Sequence, residues 1–128
     1  MSIRSGIAKA ACGITTWGLR NIAHRSGSTI PGVVALKIDP HVISELRWKL
    51  GDGSVVVVGT NGKTTVTNLL ADVVEQSGKT VLCNRAGANL NIGIAAALLQ
   101  NKPAEWGVIE CDELWTAKVL PELQPSYM

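Results

Sequence analysis

The chain predicts an α/β fold, a phosphate-loop unit on a doubly wound, mostly parallel sheet, from three observations. The first is Val55-Val56-Val57-Val58, a run of β-branched residues suited to a buried strand. It leads directly into Gly59-Thr60-Asn61-Gly62-Lys63-Thr64-Thr65, and then into apolar residues at helical spacing. The second is a repeat of the same strand-then-helix order: Thr80 to Cys83, then Trp106-Gly107-Val108-Ile109-Glu110, with helical patterns between them. Short apolar runs separated by helices need crossover connections, which is the parallel arrangement. The third is composition. With no Phe, one Tyr and four Trp, the core must rest on Val, Ile, Leu and Ala, as in sheets buried on both faces.

The loop at 59 to 65 carries the chemistry. Gly59 and Gly62 remove Cβ atoms, so successive backbone N–H groups can turn inward around a polyphosphate. The helix beginning near Lys63 adds the positive end of its dipole at the same place. Lys63 can bridge the β- and γ-phosphates, and the Thr64 hydroxyl can take a magnesium position. The common pattern places another glycine where this chain has Val57, so the loop is a shorter G-x-x-G-K-T-T form.

Taken in order, residues 1–32 read as a basic helix followed by a Gly/Ser loop, and residues 33–128 as the first part of a nucleotide-binding domain. Ile3, Ile7, Ala10, Ile14 and Trp17 fall at helical spacing, so residues 3 to about 22 form one amphipathic helix, weakened by Gly6, Gly13 and Gly18. Packing on the outside of the domain, an organelle transit segment and contact with anionic lipid all fit this arm. Val33 to Ile38 reads as extended. Asp39-Pro40 then starts a helix with Asp39 as N-cap, Val42, Leu46 and Leu50 as its buried stripe and Gly51 as its stop. His41 reads as an exposed surface histidine.

Asp52-Gly53-Ser54 turns into the strand at 55 to 58. The helix after the loop, Thr64 to Ser77, is expected to bury Val66, Leu69, Leu70, Val73 and Val74 and to end at Gly78. Asn84-Arg85-Ala86-Gly87-Ala88-Asn89 lies at the carboxyl end of the second strand, where open α/β sheets bind ligands. It reads equally as an ordinary strand–helix turn with Asn89 capping the next helix. Glu110 ends the third strand as a carboxylate beside a phosphate loop, the position from which an acid holds magnesium directly or through water. Asp112 and Glu113 add two acids close by. Leu114 to Leu120 forms a short helix ended by Pro121, and Ser126-Tyr127-Met128 begins another strand. Three strands and a stub make an unfinished sheet, so the fold is expected to be incomplete at the C-terminus, an N-terminal piece of a longer protein.

Charge is divided unevenly. Residues 1 to 38 hold Arg4, Lys9, Arg20, Arg25 and Lys37 with no acid, and the rest of the chain is net negative. Cys12, Cys83 and Cys111 have no metal or disulfide spacing and read as free thiols in a reducing cytosol. No run approaches the roughly 18 apolar residues of a membrane helix.

Gly59 to Thr65 resembles the ATP loop of the Mur-ligase superfamily. Within it, Ile30 to Pro40, Asn84 to Leu90, Glu110-Cys111-Asp112-Glu113 and Val119 to Leu123 resemble the MurT-type subunit of lipid II isoglutaminyl synthase. The resemblance runs from about residue 20 to the end. It implies the central-domain fold of that superfamily and an enzyme that amidates the α-carboxyl of D-glutamate in lipid II. ATP phosphorylates the carboxylate, and ammonia supplied by a glutaminase partner subunit displaces the phosphate.

By position, the resemblance gives ATP contacts to Gly59, Thr60, Asn61, Gly62, Lys63, Thr64 and Thr65. It makes Lys63 and Glu110 catalytic, and Thr64 and Glu110 magnesium-facing. Asn84, Arg85 and Asn89 fall on the γ-phosphate or substrate side. It places a zinc ribbon and the catalytic acid beyond Met128, so this stretch alone is expected to be inactive, and it implies a cytoplasmic enzyme at the inner face of the cell membrane.

Rival readings are a folylpolyglutamate or cyanophycin synthetase-like ligase and a non-catalytic nucleotide-binding fragment. A GTPase is disfavoured because Asn101-Lys102 is followed by Pro103-Ala104, without the Asp of a guanine-reading motif. A nucleic-acid-dependent ATPase is disfavoured by the net negative domain and its lack of an aromatic–basic surface.

Overall fold

A computed structural model describes residues 29–84 and 88–128, together with Ile3, Gly6 and Ile7. Ile3 and Ile7 are helical and exposed. The rest of the expected helix over residues 3–22, Cys12 and Arg85 lie outside the described residues.

The sheet has strands β1 (Leu50–Val57), β2 (Val81–Cys83) and β3 (Ala104–Glu110) in the order β1-β3-β2, all parallel. In register, Val55 to Val57 lie beside Val108 to Glu110, and Val81 to Cys83 beside Trp106 to Val108. Gly107 to Glu110 are all buried, as expected of a central strand covered on both faces. Tyr127 makes a parallel bridge to Val55 on the free side of β1, and its carbonyl accepts from Val56 N at 2.9 Å. The expected start of another strand is therefore present.

Two helices precede β1, α1 (Ile30–Ile38) and α2 (Val42–Leu46), the latter continued by a 3₁₀ turn at Arg47–Lys49, and one follows each strand: α3 (Lys63–Gln76), α4 (Asn91–Gln100) and α5 (Thr116–Leu123). One core cluster joins Ala35, Val42, Ile43, Leu46, Ile94, Leu98, Val119 and Leu123 to Val56, Leu82 and Ile109 of the sheet. Strand alternation turns Val108 and Glu110 to the opposite face, against α3. No described helix is long and apolar enough to cross a membrane. Cys83 and Cys111 are free thiols; burial pushes the Cys111 thiol up and Asp112 adds to this, against a hydrogen bond with Thr116.

Four local expectations are corrected. Residues 33 to 38 belong to a helix: Pro31 starts it, and Gly32 lets it approach α4 so closely that an added Cβ would overlap the carbonyl oxygen of Ile92. Asp39 does not begin one long helix. Its Oδ1 accepts from His41 N at 3.0 Å in a local turn, α2 is short, and Gly51 to Ser54 already belong to β1, with a register shift between Leu50 and Gly53. Pro121 does not end α5, because burial of Val119 and Leu123 holds the helix through it.

The fourth correction concerns α3. Its buried residues are Thr67 and Ala71; of the five apolar residues expected inside, Leu70 and Val74 are half-buried, while Val66, Leu69 and Val73 are 52%, 60% and 63% exposed. Lys63, Thr67 and Ala71 share one helix face at intervals of four. The loop fixes where Lys63 points, so it also fixes which face of α3 meets the sheet. Burying the exposed trio would be worth about 1.5–3 kcal/mol per side chain. The phase set by the loop prevails over that gain.

Finally, His41 is exposed but has a distant partner: its Nδ1 lies 2.8 Å from Glu122 Oε1 on α5. The bond and charge of Glu122 raise the His41 pKa above its ordinary value. A raised folded-state value means that the link stabilises the fold most below the unfolded pKa of about 6.5, and fades as pH rises through the folded value. His41→Asn is therefore expected to lower Tm at about pH 5 and to leave it unchanged at about pH 9. Equal differences at both pH values would show that the pair does not titrate with folding.

Candidate functional site

The site lies at the carboxyl ends of β1 and β3, where α3 begins. Gly62 closes the loop with φ of 79°, a conformation that favours glycine, and nothing stands within 4 Å of where its Cβ would be. The glycine is thus required by backbone conformation, and the space around it is open to a ligand. The first N–H groups of α3 have no intrahelical partners and face the loop's concavity. Thr60, Asn61, Thr64 and Thr65 are exposed around it.

Lys63 is drawn inward, its side chain 12% exposed. Its ammonium donates to the Gly59 carbonyl at 2.5 Å and lies 3.7 Å from Glu113 Oε2. Thr67 donates to the Lys63 carbonyl at 2.6 Å, tying the first turn of α3 down.

Glu110 is 2% exposed. Its carboxylate accepts from the Thr64 hydroxyl at 3.0 and 3.2 Å and from Asn89 Nδ2 at 3.2 Å. Among the described residues these donors are neutral, a hydroxyl and an amide that meet a buried acid at the mouth of the phosphate loop. That donor set suits magnesium, a hard cation that takes a carboxylate, a hydroxyl, phosphate oxygens and water. Among the described residues no three His, Cys, Asp or Glu side chains form a metal-binding group, so these residues by themselves would supply only part of the coordination.

Asn84 is buried, and its amide is spent on the backbone. Nδ2 donates to the carbonyls of Ala88 and Glu110 at 2.9 and 2.8 Å, and Oδ1 accepts from Glu110 N at 2.8 Å. It clamps the end of β2 to the residue that carries the acid. Asn89 does not cap α4, for Leu90 occupies that position; its side chain turns instead to Glu110. Sequence reading placed Asn84 and Asn89 near a ligand but missed their joint attachment to Glu110. The signal for this lay only in the positions of Asn84 and Glu110 at the carboxyl ends of neighbouring strands.

Asp112 braces the next turn. Its N–H donates to the Asn89 carbonyl at 2.9 Å, and its Oδ1 accepts from Leu114 N at 2.9 Å. Glu113 is held between these anchors. It was noted in the sequence only as a nearby acid, and its pairing with Lys63 was missed.

Beside the site, Thr29, Ala88, Asn89, Leu90, Ile92 and Gly93 line a cleft of about 250 Å³. Asn89 therefore borders both the acid and an open, mostly apolar space.

No family profile matches the chain. It is similar to the MurT subunit of lipid II isoglutaminyl synthase (glutamine-hydrolyzing) from Staphylococcus aureus strain N315, 37% identical over 106 residues, which is 81% of this chain and 24% of that protein. The corresponding subunit of Streptococcus pneumoniae is 38% identical over 104 residues, 78% of this chain and 23% of that protein. A UDP-N-acetylmuramoylalanine–D-glutamate ligase of Mycolicibacterium paratuberculosis is 30% identical over 120 residues, 91% of this chain and 20% of that enzyme. The chain thus spans about a quarter of the length of the MurT relatives it matches. The strand–loop–helix with Lys63 and Thr64, the acid at the end of β3 and this similarity agree: the chain belongs with the MurT-type proteins of the Mur-ligase superfamily.

Proposed function

We propose that this chain supplies the MgATP-binding part of an ATP-dependent carbon–nitrogen ligase of peptidoglycan synthesis, one that amidates the D-glutamate α-carboxyl of lipid II. The observation that carries the reading is the meeting of Thr64 and the buried Glu110 carboxylate beside the loop that holds Lys63. The similarity to MurT subunits supports the choice of reaction.

In this reading Gly59 to Thr65 wrap the β- and γ-phosphates with backbone N–H groups, and Lys63 leaves the Gly59 carbonyl to neutralise them. Thr64 and Glu110 would hold magnesium, which would supply further charge neutralisation. Asn84 keeps Glu110 in place through its backbone, and Asn89 orients the carboxylate. Arg85 is assigned to the γ-phosphate or substrate side. A carboxylate oxygen of the substrate attacks the γ-phosphorus and ADP leaves. Ammonia then attacks the acyl carbon, phosphate leaves with the C–O electron pair, and one proton is lost. A glutaminase partner supplies the ammonia, and the work is done at the cytoplasmic face of the membrane. Residues 33–128 are assigned to the ATP-binding domain and any zinc site to the remainder of a longer protein.

The test uses the full-length protein with its glutaminase partner, lipid II, MgATP and glutamine. Carboxyl-to-carboxamide conversion by mass spectrometry, with one ADP per amide, is expected. Nucleotide binding without any amide product would leave the loop assigned and remove the ligase reading.

A further inference from the structure

Lys63 does not pair with Glu110, the buried acid at the end of the adjacent strand. Its ammonium is held instead by the Gly59 carbonyl and by Glu113, at 3.7 Å. Glu113 belongs to the turn between β3 and α5 and is 45% exposed. Backbone bonds fix that turn on both sides of it, from Asp112 N to Asn89 O and from Trp115 N to Asp112 O at 3.0 Å.

We infer that Glu113 is a placeholder for the nucleotide: it occupies Lys63 while the loop is empty and competes with the polyphosphate for that ammonium. The inference rests on the nucleotide-binding reading above. A polyphosphate brings several negative oxygens to Lys63, against the single carboxylate of Glu113, so it prevails in the exchange. The exchange still has a cost, because Lys63 must give up one anion and Glu113 is left close to the incoming negative charge. Magnesium neutralises part of that charge, so the penalty falls most heavily on metal-free nucleotide. Glu113 therefore weakens binding of bare nucleotide and favours the magnesium-loaded form.

The experiment is titration of a fluorescent ATP analogue into wild type, Glu113→Gln, Glu113→Asp and Lys63→Ala, with magnesium and with EDTA, with Tm as the check on folding. A half-exposed pair at this distance predicts about two- to fivefold tighter binding for Glu113→Gln in EDTA. The gain is expected to be smaller with magnesium, and Glu113→Asp to fall between the two proteins. Weaker binding by Glu113→Gln would overturn the inference and make Glu113 a partner of the bound ligand. Unchanged binding by Glu113→Gln, with binding lost in Lys63→Ala, would overturn it and leave the site intact. No binding by wild type would remove both.

Discussion

Lys63→Ala is expected to lower ATP affinity by about two orders of magnitude or more while leaving the fold in place. A charge-assisted hydrogen bond contributes about 1.5–3 kcal/mol, and Lys63 stands to make more than one to the phosphates, while about 1.4 kcal/mol corresponds to a tenfold change. The fold survives because the charge partner left behind is not buried. Glu113 is 45% exposed and returns to water, so no buried acid loses its counter-charge. The bond from the Thr67 hydroxyl within the first turns of α3 reaches the backbone carbonyl of residue 63, not its side chain, and persists. Lys63→Arg is not expected to restore binding, since a planar guanidinium cannot replace a compact ammonium in a loop shaped around it. Calorimetric titration with a melting curve on the same sample checks both halves. Retained affinity in a folded Lys63→Ala would mean that the loop does not use its lysine for phosphate.

How far the site could be read before the structure depended on whether its parts are contiguous. Gly59 to Thr65 are consecutive, and Glu110 announces itself by ending an apolar run, so both were legible. Contacts that join distant segments were not. His41 and Glu122 are 81 residues apart, Thr64 and Glu110 are 46 apart, and the Asn84 clamp spans 26. The face of α3 was misread for a related reason. Apolar periodicity favoured Val66, Leu69 and Val73, but the helix takes its rotation from Lys63, and the small side chains of Thr67 and Ala71 meet the sheet. The rotation set at one end of the helix thus leaves three of its apolar side chains outside.

Residues 33 to 38 were misread as extended because Val33, Val34 and Ile38 are β-branched and Pro31-Gly32 resembles a turn. Neighbouring structure decides such a segment: Ala35 is fully buried in the core cluster, and Gly32 is set against α4. The same physics makes the small residue at position 32, where α1 packs on α4, a sensitive one.

Gly32→Ala is expected to destabilise the chain by about 3 kcal/mol, the upper part of the range for overpacking. The added methyl would overlap Ile92 O and come within 2.9 Å of Ile92 C and 3.0 Å of Ala96 N. All three are backbone atoms of a packed helix and cannot turn aside as a side chain could, so α1 must lift from α4. Gly93→Ala meets Ala88 in the same way, with Ala88 C at 2.7 Å, and pushes on the segment that carries Asn89 towards Glu110. It should therefore weaken nucleotide binding as well as lower Tm. Gly78→Ala separates steric overlap from backbone strain: φ is 92° there, but nothing lies within 4 Å of the new methyl. That variant is expected to lose only about 1 kcal/mol. Chemical denaturation of the three variants ranks them. If Gly78→Ala proved as costly as Gly32→Ala, close packing of α1 on α4 would not be what the glycine at position 32 protects.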